Sequence, residues 1–132
     1  MLDAPEYPND DFGRFMQQRQ YSKDIARRGF KSLIDRWVIT ANRVVEKIEA
    51  TEGFLSDAGT RQVIYEAWSL LLARPDAEEL LKRIEAADRI YKVATVPAPE
   101  CIWGDEVERK RGYNRDINWW YYRTPTRGNS AR

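Results

Sequence analysis

Apolar and small residues recur every three or four positions through the first half of the chain, which is the period of an amphipathic helix. The members of this run are Ile25, Gly29, Leu33, Ile34, Trp37, Val38, Ala41, Val44, Val45 and Ile48. The pattern predicts one long helix from Ser22 to about Ala50, on the order of 40 Å in length. Gly53 is predicted to end this helix, because glycine readily adopts the conformation that follows many helices.

A second helix is predicted to follow, capped by Ser56, Asp57 or Thr60. It is apolar almost all round near its end, which is typical of a central element. The positions expected to be buried are Val63, Ile64, Ala67, Trp68, Leu70, Leu71 and Leu72. Pro75 breaks the second helix, and the acidic residues after it favour a third, because negative charge is stabilised near a helix N-terminus.

The third helix is predicted to bury one face and to expose a charged one. Its apolar stripe comprises Leu80, Leu81, Ile84, Ala87, Tyr91 and Ala94. Four acid–base pairs at i and i+4, each worth a few tenths of a kcal/mol, are predicted between Glu78 and Lys82, Glu79 and Arg83, Glu85 and Arg89, and Asp88 and Lys92. The segment from Val96 to Pro99 holds two prolines, and it is predicted to be an extended connector.

Together these elements predict an all-α protein of one domain, for which 132 residues provide enough chain. The expected architecture is a three-helix antiparallel body with a long first helix, over residues 21–96. An extended N-terminal segment, residues 1–20, precedes the body, and a C-terminal arm, residues 97–132, follows it. Within the arm, Asp105–Arg111 is predicted to form a short helix that Gly112 weakens. The pattern of residues 117–122 fits a helix or a strand, and we favour a helix.

The arm carries four large aromatic residues in succession, from Trp119 to Tyr122, among several cations. Four adjacent rings cannot all face one core from a regular helix or strand, so some ring surface must meet a partner or a fold of the chain itself. Aromatic and arginine side chains are typical anchors of protein interfaces. The predicted partner-binding residues are Trp103, Arg111, Tyr113, Arg115, Trp119, Trp120, Tyr121, Tyr122 and Arg123.

The net charge of +1 conceals two basic blocks. Residues 14–31 hold six cations against Asp24, a local balance of +5, and residues 109–132 hold seven against Asp116, a balance of +6. An acidic stretch precedes each block, so pairing within the chain or between copies explains them as well as an external polyanion does. The nucleic-acid-binding candidates in the first block are Arg14, Arg19, Lys23, Arg27, Arg28 and Lys31.

The sequence contains no constellation of residues that is typical of catalysis or metal binding. It has no histidine and a single cysteine, Cys101, which excludes a serine or cysteine triad, an internal disulfide and a cysteine-based zinc site. It has no glycine-rich phosphate-binding loop, and the carboxylates between Glu100 and Glu108 match no calcium loop. We therefore expect no enzymatic activity, no cofactor and no bound metal.

Two classes of function fit these features. The favoured class is a non-enzymatic structural or assembly subunit, or protein-binding module, of a larger complex such as a virion, secretion machine or ribonucleoprotein. Its arm is expected to dock into a partner protein, or the chain to form a homo-oligomer. The alternative is a nucleic-acid-binding protein that uses residues 14–31 and 109–132 with Trp and Tyr stacking. The near-neutral charge weighs against this alternative, because nucleic-acid-binding domains are usually strongly basic.

No apolar stretch approaches the length of a membrane span, and the N-terminus lacks the apolar run of a signal peptide. We therefore expect no membrane association, and a cytoplasmic location or a particle assembled in the cytoplasm.

Overall fold

The computed structural model describes residues 7–46 and 52–125, which form mainly helices with one small sheet. The helices are α1 (Asp11–Gln18), α2 (Lys23–Arg28), α3 (Phe30–Glu46), α4 (Glu52–Glu66), α5 (Trp68–Leu72), α6 (Ala77–Val93), α7 (Asp105–Arg111) and a 3-10 helix (Trp119–Tyr122). Strand β1 (Thr95–Pro97) pairs antiparallel with β2 (Arg123–Pro125). The prediction of a mainly helical protein is confirmed. Residues 1–6 and 126–132 of the predicted N-terminal segment and arm lie outside the described residues.

The N-terminal segment differs from the extended chain that was expected, because it contains α1. Asp10 caps this helix, with its side chain accepting a hydrogen bond of 2.7 Å from the N–H of the third helical residue. Phe12, Phe15 and Met16 are buried in the core. Their i, i+3, i+4 spacing is the sequence signal of this helix, and it places a short amphipathic helix on the body.

The predicted long first helix is interrupted at Gly29, which separates α2 from α3. Gly29 has a φ of +99°, a backbone conformation that residues with a side chain rarely adopt. Ser22 caps α2 by accepting a hydrogen bond of 3.2 Å from the N–H of Ile25. Gly29 therefore lets the chain change direction before α3, whereas the periodicity alone favours a continuous helix.

The start of α4 also lies earlier than the sequence indicates. Gly53, predicted to end the first helix, lies within the first turn of α4, and the predicted caps Ser56, Asp57 and Thr60 lie inside the same helix. A single glycine inside a helix costs only about 1 kcal/mol relative to alanine, so tertiary packing overrides it. The remainder of the predicted first helix, residues 47–51, lies outside the described residues.

The central core lies between α3, α4 and α6. Trp37 of α3 and Tyr91 of α6 are completely buried, with ring centroids 4.9 Å apart. Other buried members of this core are Leu33, Ile34, Ala41, Ile64, Ala67, Leu71, Leu80, Ile84 and Ala87. The predicted stripe of the third helix is thus largely buried, as expected from its period, whereas Trp68 is only partly buried.

A buried ion pair joins α4 to α6. Arg61 Nε and Nη2 donate hydrogen bonds of 3.0 and 3.1 Å to the two carboxylate oxygens of Asp88, and Trp37 Nε1 donates one of 2.8 Å to Asp88 Oδ1. Only 8% of the Arg61 side chain and 16% of the Asp88 side chain are exposed. Asp88 therefore faces the core rather than Lys92, its predicted partner, because a buried guanidinium requires a carboxylate.

Three tryptophan rings surround the same guanidinium. Arg61 Cζ lies 4.6 Å from the ring centroid of Trp120, 5.7 Å from that of Trp68 and 5.8 Å from that of Trp119. A cation is attracted to the face of an aromatic ring, and more strongly where water is excluded. Through this contact, Trp119 and Trp120 of the C-terminal arm pack against α4.

The arm folds back into the core, in contrast to an arm that extends towards a neighbour. Trp120, Tyr121 and Tyr122 are each at most 3% exposed. Successive side chains of a 3-10 helix point about 120° apart, so adjacent rings reach different walls of one crevice. The strand that follows them is completed by β1, within the same chain.

Two arginines that were predicted to bind a partner hold the arm in place. Arg123 Nη2 donates hydrogen bonds of 3.0 and 2.9 Å to the carbonyl oxygens of Lys92 and Thr95. Arg115 donates hydrogen bonds of 2.9 Å to two carbonyl oxygens of the connector after β1. Their donors are thus engaged by backbone at the end of α6 and in the connector.

Replacing Trp120 by alanine should destabilise the protein by about 3 to 5 kcal/mol, because it removes a buried indole and part of the Arg61 environment. Ile117→Ala, in the same segment at a side chain that is 47% exposed, is the control and should change the stability by less than about 0.5 kcal/mol. Chemical denaturation measures both. Equal effects would place Trp120 outside the core.

Asp88→Ala should cost about 3 to 5 kcal/mol, because it leaves the Arg61 charge buried without its partner. The control is Asp35→Ala, which removes a surface pair with Arg83 at 2.6 Å and should cost less than about 1 kcal/mol. If denaturant unfolding gives the same loss of stability for both variants, the buried Arg61–Asp88 pair contributes no more than a surface ion pair.

Candidate binding site

A cleft of about 350 Å³ lies between α4 and the chain around α7. We call it the aromatic cleft, and its lining residues are Tyr21, Gly59, Gln62, Val63, Trp103, Val107, Arg111, Tyr113 and Tyr121. Four of the nine predicted partner-binding residues are among them: Trp103, Arg111, Tyr113 and Tyr121. The fold therefore brings these four together from separate stretches of the chain.

The aromatic walls of this cleft pack against one another. The ring of Tyr121 lies 4.7 Å from that of Tyr113 and 5.9 Å from that of Trp103, measured between centroids, and the Trp103 contact is edge-on. Such offset and edge-to-face contacts are favourable arrangements of aromatic pairs. The walls are consequently preformed, which is typical of binding pockets.

A second cavity of about 340 Å³, the side cavity, lies beside the aromatic cleft. The two share Gln62, Arg111 and Tyr113 in their linings. The side cavity also exposes two large apolar side chains, Tyr65 at 42% and Ile117 at 47%. An exposed apolar surface beside a preformed concave surface is characteristic of interaction sites.

The end of α7 positions the residues that the two cavities share. Gly112 has a φ of +72°, and its N–H and that of Tyr113 both donate to the carbonyl oxygen of Glu108, at 2.9 and 3.1 Å. The left-handed residue ends the helix and turns the chain, as glycine does at many helix C-termini. Arg111 and Tyr113 are thereby presented to the cavities from a fixed turn.

A polar network forms the base of the site and joins three parts of the chain. Glu66 accepts hydrogen bonds from Arg19 at 3.1 Å, from the Tyr21 hydroxyl at 2.7 Å and from the Gln62 amide at 3.0 Å. The Asn118 side-chain amide donates a hydrogen bond of 2.9 Å to the side-chain oxygen Oε1 of Gln62. The hydrogen bonds to the Glu66 carboxylate thus come from this chain itself. They connect α4 to the segment that contains Arg19 and Tyr21.

Arg111 has a different electrostatic environment from the other cations that border the described cavities. Those others are paired: Arg14 with Asp11, Arg19 with Glu66 and Arg74 with Asp76. Arg111 is exposed, and no carboxylate of the described residues pairs with it. Its charge is available to a ligand.

Four of the six cations in the first basic block form ion pairs within the chain. Its ion pairs are Arg14–Asp11, Arg19–Glu66, Arg27–Asp24 and Arg28–Asp24. Lys23 Nζ lies 5.8 Å from the centroid of the Tyr7 ring, and Lys31 is exposed. Pairing within the chain thus accounts for most of this block, and its binding of nucleic acid stays a prediction.

The other five predicted partner-binding residues contact other parts of the same chain. Trp120 and Tyr122 are buried, and Arg115 and Arg123 bind backbone carbonyls, as described above. Trp119 is half-buried, with Lys92 Nζ 4.4 Å from its ring centroid. Partner binding stays a prediction for all nine residues, four of which line the aromatic cleft.

Sequence reasoning missed Tyr21, Gln62, Tyr65 and Ile117 as members of the site. Tyr65 follows the buried Ile64 directly on α4, so an aromatic residue off the buried stripe was the available signal. Ile117 is an isolated apolar residue among polar ones. The other two reach the site through tertiary packing, which no local pattern indicates.

Comparison with protein-family models, with curated proteins and with solved structures finds no match to this chain. Within residues 7–46 and 52–125, no helix is long and apolar enough to cross a membrane. No cluster of three or more metal-ligating side chains occurs in the same part of the chain.

The stability of the protein should fall as the pH rises above about 10, the ordinary pKa of tyrosine. Burial raises the pKa of Tyr21, Tyr121 and Tyr122 above that value, and hydrogen bonds to Glu66 and Glu108 raise the pKa of Tyr21 and Tyr122 further. The folded state holds the hydroxyl protons of these tyrosines more tightly than the unfolded state does. The three tyrosines therefore contribute fully to stability below the unfolded pKa, and this contribution is lost at higher pH. Tyrosinate absorbance should therefore appear at higher pH in the folded than in the urea-unfolded protein. Coincident titration curves would contradict this.

Proposed function

We propose that this chain is a non-enzymatic assembly subunit or protein-binding module of a larger complex, and that the aromatic cleft and side cavity form its docking surface. The observation that carries the proposal is the adjacency of exposed Tyr65 and Ile117 to a preformed aromatic cleft with an unpaired Arg111. Tyrosine, tryptophan and arginine are the residues that most often dominate binding energy at protein interfaces. In this proposal the arm forms one wall of the docking surface.

The same proposal includes the arrangement expected for the body, with α3, α4 and α6 as three antiparallel helices. Asp35 meets Arg83 and, further along both helices, Trp37 meets Asp88. Contacts that advance together along α3 and α6 support a common direction for these two helices. In the proposed arrangement, α4 runs in the opposite direction between them.

Nucleic-acid binding is the second candidate, and fewer observations favour it. Single-stranded nucleic acid is bound by rows of cations and by aromatic faces open to bases. Here most cations of the first block are paired, and three of the four consecutive aromatic residues are buried. We therefore rank protein binding above it.

Affinity purification of the tagged full chain from its source cells tests the proposal. We expect a protein to co-purify in a fixed ratio, and Ile117→Asp to reduce its recovery at least about tenfold by placing a charge in an apolar contact. The matched control is Leu72→Asp, at an apolar side chain that is 55% exposed and lies outside the described cavities. Equal recovery with both variants, or recovery of nucleic acid alone, would refute the proposal.

A further inference from the structure

The charge at the docking surface defines one property of its occupant. Arg111 lines both the aromatic cleft and the side cavity, and no carboxylate of the described residues pairs with it. An arginine fork binds a carboxylate through two parallel hydrogen bonds, and this pairing is stronger than a neutral hydrogen bond. A ligand that spans the two cavities therefore gains from a negative group placed between its apolar parts.

The shape of the surface defines a second property. Two neighbouring cavities of about 350 and 340 Å³ share Gln62, Arg111 and Tyr113. One is walled by rings and by the apolar side chains of Val63 and Val107. The other presents Tyr65 and Ile117. An occupant that fills both cavities must carry one apolar group on each side of its negative group, as a short peptide segment can.

The charges near Arg111 distinguish a single carboxylate from a polyanion. The last turn of α7 carries Arg109, Lys110 and Arg111, but Arg111 is the one cation among the lining residues of the two cavities. A nucleic acid strand brings a phosphate with each nucleotide, and binding of such a series needs a row of cations along the site. One acidic side chain placed on Arg111 matches the single positive charge of the two cavities.

We propose that the occupant is a segment of a partner protein in which an acidic residue is flanked by large apolar residues. The acidic side chain pairs with Arg111, one apolar side chain enters the aromatic cleft, and the other packs on Tyr65 and Ile117 in the side cavity. This inference rests on the proposed function, since it names the chemistry of the partner at the same surface.

Selection of peptides from a random display library against the folded full chain tests the inference. We expect the selected sequences to share Asp or Glu between aromatic or large aliphatic residues. One selected peptide is then synthesised with a fluorophore, and its Kd is measured by fluorescence anisotropy. Replacing its acidic residue by the corresponding amide should weaken binding at least about tenfold, because a charge-assisted pair is lost.

Charge reversal on the protein provides the matched comparison. Arg111→Glu should weaken binding of the acidic peptide at least about tenfold and should favour binding of a peptide with lysine at the same position. Arg109→Glu makes the same change of charge on α7 at an exposed residue that lines neither cavity, and should change the Kd less than about twofold. Circular dichroism confirms that both variants are folded.

Several outcomes would overturn the inference: selected peptides without an acidic residue, no selected peptide at all, equal effects of the two variants, or Arg111-dependent binding of an oligonucleotide. Its failure is distinguishable from failure of the proposed function. If Ile117→Asp abolishes co-purification of the partner while acidic peptides do not bind, the docking surface stands and the peptide chemistry is refuted.

Discussion

The ion pair between Arg61 and Asp88 is the interaction on which the arrangement of the other elements depends. Asp88 also accepts the indole N–H of Trp37, and the guanidinium lies within 6 Å of the rings of Trp119 and Trp120. A charge in a water-poor interior tolerates little displacement of its partners, because each lost contact leaves desolvation uncompensated. Residues from α3, α4, α6 and the C-terminal arm thus meet at one constrained point.

The parts of the fold that sequence predicts best are those governed by local signals. The third helix begins after Pro75 and buries its predicted stripe, because the apolar period, the proline and the acidic first turn act over a few residues. Its surface pairs were predicted less well: Arg83 binds Asp35 of α3 rather than Glu79. An i,i+4 pair contributes only a few tenths of a kcal/mol, so tertiary contacts readily replace it.

The candidate site shows the same division between local and tertiary causes. The residue types were informative, since Trp103, Arg111, Tyr113 and Tyr121 converge on one cleft. Their sequence pattern did not reveal that neighbouring aromatic residues would be buried, because that depends on a 3-10 path against α4. Nor does any pattern indicate that Arg115 binds backbone carbonyl oxygens.

The position of Tyr121 in the wall of the cleft has a consequence for the order of events in folding. The hydrogen bond from Asn118 to Gln62 spans 56 positions of the sequence, and contacts of such long range form late because a large loop must close first. During synthesis, α4 emerges from the ribosome well before the residues that complete the cleft. A nascent or incompletely folded chain therefore lacks the complete aromatic cleft, and under the proposed function a partner binds only chains that have finished folding.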